Sequence, residues 1–324
     1  MSTHGGTKAI IAALLANLGI AVTKFIAFLL TRSASMLAES VHSVADSGNQ
    51  LLLLLAGRRA RRAPDEAHPF GYGRYRYFYA FVVAIVLFSV GGLFALYEAW
   101  HKFADPHPIE GRWAWVPVAV LIAAIVMESF SLRTAVVESN RVRGERSWVE
   151  FVRTARAPEL PVVLLEDIGA LLGLVFALFG VSMTLATHNG QWDAIGSAAI
   201  GVLLVVIAIV LARETTSMIL GEAATPEDIA AVRAALVGGS TVASVIHLRT
   251  MHLGPEEILV AAKIEVPGAA TAGEVANAID DAEQRVRAAV PYASLIYLEP
   301  DLRRASEAVP ADPTATGEPP VAHA

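Results

Sequence analysis

Cysteine is absent from the 324 residues. Disulfides, iron–sulfur clusters and thiolate zinc sites are thereby excluded, and any metal must be held by nitrogen and oxygen. Charge is also scarce. Asp, Glu, Lys and Arg make up 17% of the chain, against 55% hydrophobic residues, where a soluble domain carries about a quarter charged residues. That balance excludes a disordered chain and weighs against an ordinary soluble enzyme. What is present is apolar sequence in long blocks, which points to a bundle of membrane helices with a smaller polar part.

A bilayer core takes about 20 apolar residues as a helix. Six segments fit: Ala9–Leu30, Met36–Gly57, Tyr77–Trp100, Trp113–Val137, Val162–Thr187 and Asp193–Arg213. The first is read as a retained span. It starts too near Met1 to leave a transit peptide, no small-residue cleavage site follows it, and Asn17 and Lys24 lie within it. Arginine sets the orientation. Arg58, Arg59, Arg61, Arg62, Arg74 and Arg76 crowd the loop after span two, and Arg141, Arg143, Arg146, Arg153 and Arg156 the loop after span four. The opposite loops hold only Arg32, Lys102 and Arg112. The bias places both termini in the cytoplasm of a multi-pass protein of the cell (inner) membrane. Trp100, Trp113, Trp115 and Trp192 fall at span ends, as interfacial anchors do.

The spacing divides the chain into a membrane domain (1–213), a cytosolic domain (214–302) and a tail (303–324) that its Pro, Ala, Thr and Glu content predicts to be disordered. In the cytosolic domain Thr225–Val237 reads as a capped helix, with Pro226 at the first helical position and Asp228 in the first turn. Val242–Met251 and Ile258–Val266 read as strands about the turn signal Gly254-Pro255. Thr271–Val290 reads as a helix and Ala293–Leu298 as a third strand. The order αββαβ predicts a small α+β, ferredoxin-like domain with an antiparallel sheet and helices on one face. The excess of acid behind the net charge of −6 lies in this domain and the tail, from Glu214 onward, where it would draw divalent cations toward the membrane part.

Ionisable groups inside spans are costly and mark function by default. Span two contains Met36-Leu-Ala-Glu-Ser-Val-His-Ser-Val-Ala-Asp46. His42 and Asp46 are one turn apart on one helix face, with Cβ atoms about 6 Å apart. Glu39 and Asn49 lie near that face. An imidazole and a carboxylate at this spacing can hold one divalent ion, as half of a tetrahedral zinc site. The competing reading is a hydrogen-bonded pair that fixes helix packing; the membrane setting and nearby Glu39 favour the metal. In span five Glu166 and Asp167 stand alone among apolar residues. Adjacent side chains point about 100° apart, so one completes a site with His42 and Asp46 while the other faces a neighbour or a proton path. Asn17 and Lys24 share a face, and a Lys near a span end ordinarily snorkels. Glu128 in span four either pairs with Lys24 or serves a proton route. Asp193 reads as an N-cap.

With these residues in view, the chain resembles the cation diffusion facilitators. The features that carry the resemblance are six spans, His42-Ser-Val-Ala-Asp46, the acidic pair of span five and the αββαβ domain. Further motifs are Asp65-Glu-Ala-His-Pro-Phe-Gly-Tyr-Gly-Arg74 between spans two and three, Asp193-Ala-Ile-Gly-Ser-Ala-Ala-Ile-Gly201 at span six, and His247-Leu-Arg-Thr-Met-His-Leu-Gly-Pro255. The likeness runs to about Asp301. Leu164-Leu-Glu-Asp167 resembles the subfamily that includes the mitochondrial zinc transporters.

The resemblance implies a homodimeric antiporter, not an enzyme, that exports Zn²⁺ as its transported substrate in exchange for protons, with no organic cofactor. It assigns His42, Asp46 and Asp167 to a tetrahedral transport site. The family's fourth position falls on apolar Val163, so either Glu166 or a water supplies the last ligand, with Glu166 favoured. Asp65 and His68 match a loop metal site in which Tyr72 replaces a His. In the cytosolic domain the usual His positions fall on Ile246, Ala262 and Tyr297, and Glu299 alone keeps ligand chemistry. His247 and His252 are off register, so the domain is expected to dimerise with little metal or none. Arg74 matches a basic residue of an interprotomer ion pair, with Glu222 or Glu214 as its partner.

Metal ligands must shed protons to bind, and an ordinary His titrates near pH 6.5. Exchange of metal for protons about a midplane site follows. An oxygen ligand in place of a His hardens the site and could admit Mn²⁺, Co²⁺ or Fe²⁺. Two other classes are a passive cation channel, which would run without a proton gradient, and a metal sensor, which would move no ion. An intramembrane metalloprotease would need HExxH, which is missing.

Overall fold

The computed structural model describes residues 4–31, 34–106 and 114–302; of these, the side chains of 4–9, 27, 28, 30, 31, 34–42 and 45 lie outside the description. The tail from 303 onward is likewise outside the described residues. The chain forms two compact units that divide between Leu220 and Gly221.

The first unit is helical. Its elements are α1 (His4–Thr31), α2 (Ala34–Ala60), α3 (Tyr75–Val86), α4 (Phe94–Ala104), α5 (Val116–Arg143), α6 (Trp148–Thr154), α7 (Glu159–Thr187) and α8 (Gln191–Leu220). α3 and α4 join through a π-helical segment, Leu87–Leu93, into one helix, Tyr75–Ala104. Among the described residues four helices are long and apolar enough to cross a bilayer: Tyr75–Ala104, Val116–Arg143, Glu159–Thr187 and Gln191–Leu220. Six were expected. α1 and α2 are also long, but the described apolar stretch of α1 is Ile10–Ile26. α2 carries Ser, His, Asp, Asn and Gln through its middle, which dilutes its hydropathy. The helix α8 continues to Leu220, beyond the expected end at Arg213.

α1 packs on α2 and α5, α7 on α5 and α8, and α3 and α4 on α8. Glycine permits the closest crossings. A Cβ on Gly196 of α8 would lie 2.8 Å from the Phe176 carbonyl oxygen on α7, and one on Gly201 would lie 2.9 Å from the Leu96 nitrogen on α4. Small residues let apolar helices approach in this way, which gives the glycines of the span-six motif a packing role. The helix α6 was not anticipated. Ser147 and Glu150 form a reciprocal capping box at its start, and the apolar Phe151 is buried.

The second unit contains α9 (Pro226–Val237), β1 (Ser244–Gly254), β2 (Glu257–Glu265), α10 (Ala272–Ala289) and β3 (Ala293–Asp301). Thr225 caps α9 by accepting from the Asp228 N–H, and Thr271 and Glu274 form a capping box on α10. Ile258, Val260, Ala262 and Ile264 alternate along β2. They are buried with Val232 and Leu236 of α9 and Ala282 and Val286 of α10, so both helices cover one sheet face. The sheet order is β1-β2-β3. β1 and β2 form an antiparallel hairpin about Pro255-Glu256, whereas β3 runs parallel to β2. The expected fully antiparallel, ferredoxin-like sheet is therefore corrected to an open mixed sheet. The physical reason is α10, a crossover long enough to return the chain to the same end of the sheet before β3 begins.

Candidate functional site

The acidic residues of the spans converge inside the helical unit. Asp167 is 1% exposed and Glu166 4%, and they point to different helices, as the 100° step requires. Glu166 turns to α2, where Asn49 Nδ2 donates to its Oε1 and Gln50 Nε2 to its Oε2, each at 2.9 Å. Gln50 in turn accepts from Asn17 Nδ2 at 3.3 Å. Asp167 turns to α5 and accepts from Ser131 Oγ at 2.9 Å. Asp46 acts electrostatically on Glu166, Asp167 and Glu128. The carboxylates of Asp46, Glu128, Glu166 and Asp167, from α2, α5 and α7, are thus near enough to act on one another. Val163 is fully buried in the apolar core and offers no ligand.

His42 lies on α2, but its side chain, like that of Glu39, is outside the described residues. Among the described residues no three His, Asp or Glu side chains are placed to hold a metal ion together.

Asp46 also lines a cavity of about 130 Å³. Lys24, Ser43 and Glu128 line it beside Asp46, and Glu98, Lys102 and Ser197 line it elsewhere. Val90 and Gly91 of the π-helical segment form part of its wall; π turns often sit at functional sites. Charge pairs stand at the two ends of the Tyr75–Ala104 helix. Lys102 Nζ lies 2.8 Å from Asp193 Oδ2. Asp193 is therefore an ion-pair partner in the first turn of α8 rather than an N-cap. Arg76 grips Glu159 of α7 through Nε and through Nη2, the latter at 2.8 Å from Oε2. Neither pair was read from the sequence. Both partners sit at helix ends, where charge is ordinary, and only the fold brings them together.

The loop candidates Asp65 and His68 are brought together, with Nδ1 3.6 Å from Oδ1. Asp65 is nonetheless already engaged. Its Oδ2 accepts from Tyr72 at 2.6 Å and Arg62 at 2.8 Å, and its Oδ1 accepts from the His68 N–H at 2.9 Å. The Tyr72 hydroxyl above all, with the His68 N–H and Arg62, holds the Asp65 carboxyl below the usual aspartate range. A depressed pKa makes this loop arrangement favourable above the unfolded value, near 3.9, and lost as pH falls through the lower folded value. Hydrogen exchange over residues 65–72 is accordingly expected to stay slow at pH 5 and quicken only below about pH 4. Quickening near pH 6 would contradict it.

In the second unit, Ala262 lies in the core, and Lys263 Nζ sits 3.3 Å from Glu299 and 2.7 Å from Asp301. A lysine therefore engages the one ligand-type residue retained there. His252 is buried in β1, and Glu222 accepts from its backbone N–H at 2.9 Å. Arg74 precedes α3 in the first unit, and Glu222 belongs to the second.

A match to the model of the cation efflux transmembrane domain covers residues 10–220. The chain belongs to the cation efflux family. Within it, this chain is 30% identical over 272 residues to "Proton-coupled zinc antiporter SLC30A9, mitochondrial" of Xenopus laevis, covering 83% of this chain and 48% of that protein. It is 27% identical to "Metal tolerance protein C4" of Arabidopsis thaliana, over 81% of this chain and 57% of the relative. It is 31% identical to "Zinc transporter ZitB" of Pectobacterium atrosepticum, over 65% of this chain and 60% of the relative. The chain spans about half the length of the SLC30A9 relatives it matches.

Proposed function

We propose that this cation efflux protein is a proton-coupled antiporter that exports Zn²⁺ from the cytoplasm, with Mn²⁺, Co²⁺ or Fe²⁺ as lesser substrates. The observation that carries the reading is the mutual electrostatic action of Asp46, Glu166, Asp167 and Glu128 between membrane helices, beside the cavity that Asp46 and Glu128 line. Ionised carboxylates are costly there, and a divalent ion or protons would neutralise them in turn. His42, Asp46 and Asp167 are the proposed ligands, with Glu166 as the fourth. The amides of Asn49 and Gln50 orient Glu166 and leave lone pairs on its oxygens. The names of the Xenopus and Pectobacterium relatives support zinc and the first supports proton coupling. The likeness to SLC30A9 supports the mitochondrial-type subfamily.

The proposed working unit is a homodimer with Arg74 and Glu222 in an interprotomer pair and a metal-poor dimer contact between the cytosolic domains. α1 and α2 would complete six spans in the cell (inner) membrane, with both termini cytoplasmic as the arginine bias requires. Asp65 and His68 could take up metal only by displacing Arg62. Zinc uptake into reconstituted vesicles, recorded together with proton release, tests the reading. Uptake that ignores the pH gradient would identify a channel, and an absence of uptake would leave a sensor.

Glu166→Gln tests the fourth ligand. The new amide places a donor against the donors of Asn49 or Gln50, and zinc affinity is expected to fall about tenfold or more. Unchanged affinity and rate would mean that water completes the site.

A further inference from the structure

A buried lysine shares the cavity with Asp46, and the antiport reading leaves it without a role. Lys24 is 4% exposed. The snorkelling expected of a lysine near a span end is not seen; its ammonium turns inward. Asn17, Ile20 and Lys24 recur at helical spacing along α1 and line the cavity. Lys24 Nζ donates to Ser43 Oγ at 3.2 Å. Ser43 lies one turn before Asp46 on the same helix, so the ammonium rests beside the proposed metal ligand. Its charge acts on Glu128, which also feels Asp46 and Asp167.

We propose that Lys24 is a tethered counter-cation of the transport site: without metal its ammonium, held by Ser43, offsets Asp46 and Glu128, and an arriving divalent ion competes with it for the same negative charge. The inference rests on the antiport reading. It concerns the half of the cycle in which no metal is carried. Protons taken up in exchange neutralise part of the cluster, and any carboxylate that stays ionised in the low-dielectric bundle is costly to reorient without a counter-charge. A compact ammonium on a flexible four-carbon stem can move between Ser43 and the carboxylates without backbone motion. Metal and lysine then compete for the same negative charge, so the residue that speeds the empty return also weakens metal binding. Lys24 is a positioning and compensating residue, not a ligand.

The test uses the full chain in vesicles with Lys24→Met and Lys24→Arg. Zinc affinity, proton-driven net zinc uptake and zinc–zinc counterflow are measured on each. In Lys24→Met, zinc is expected to bind about tenfold tighter, with net uptake about tenfold slower. Counterflow, which omits the metal-free return, should fall far less. Lys24→Arg, which keeps the charge, should recover much of the net uptake. A lysine that only packs α1 against α2 would lower net uptake and counterflow together, without the gain in affinity. That result would overturn the proposal, as would unchanged affinity with an unchanged ratio of the two fluxes. Wild-type uptake that ignores protons would instead remove the antiport reading, whereas the affinity of Lys24→Met would still decide whether the ammonium competes with metal.

Discussion

Asp46→Ala is expected to abolish proton-driven zinc uptake, by about a hundredfold or more, while the protein stays folded. Asp46 acts on Glu128, Glu166 and Asp167 alike, and it also lines the cavity. Its loss removes a proposed ligand and opens the centre of the acidic cluster, a change that an outer partner of a metal site causes only at the level of 10–100-fold. Two arguments protect the fold. Alanine is the best helix former, and removing one of several neighbouring carboxylates relieves like-charge repulsion. Thermal unfolding in detergent should thus occur at or slightly above the wild-type temperature. Normal transport by this variant would move the site elsewhere. Lost transport together with a large fall in melting temperature would mark Asp46 as structural.

Gly196→Val is expected to have the largest effect on stability. The added Cβ would meet the Phe176 carbonyl oxygen at 2.8 Å and Gly180 Cα at 3.4 Å. Both contacts are backbone, so no side chain can swing away and α7 must part from α8. Overpacking of this kind costs about 1–3 kcal/mol, and the two further methyls of valine favour the upper end. A fall in melting temperature on the order of 5–10 °C is expected, with a lower yield of monodisperse protein. Gly57→Ala is the control. Nothing lies within 4 Å of its added Cβ, and in a helix alanine gains about 0.5–1 kcal/mol over glycine. A Gly196→Val protein as stable as wild type would mean that the two helices do not cross at this point.

The parts of the molecule that rest on local pattern were legible from the sequence. The caps at Thr225 and Thr271, the hairpin at Gly254-Pro255 and the long apolar helices from Tyr75 onward all follow from residues near one another in the chain. So do the isolation of Glu166 and Asp167 among apolar neighbours and the polar stripe of span two that carries Asp46. Features that depend on distant partners were not legible. The direction of β3 is set by how α10 returns the chain. Snorkelling was the local expectation for Lys24, and it yields to Ser43 and Glu128 on two other helices. Asp193 resembles a cap until Lys102 arrives from the Tyr75–Ala104 helix. Ser147 and Glu150 did carry a readable capping signal, but α6 is too short to show periodicity inside a loop read for its arginines. The π-helical segment has no local signature, because Leu87–Leu93 differs little in composition from its flanks.

The two charge pairs on the Tyr75–Ala104 helix have a mechanical consequence. Glu159 and Asp193 both lie in first turns, of α7 and α8, where the helix dipole favours an acid. α7 and α8 follow one another through a short connection at His188–Gly190 and run in opposite directions, so these two first turns stand at opposite ends. One long helix is therefore pinned at each tip, by Arg76 to α7 and by Lys102 to α8. Sliding along its axis would strain both pins at once.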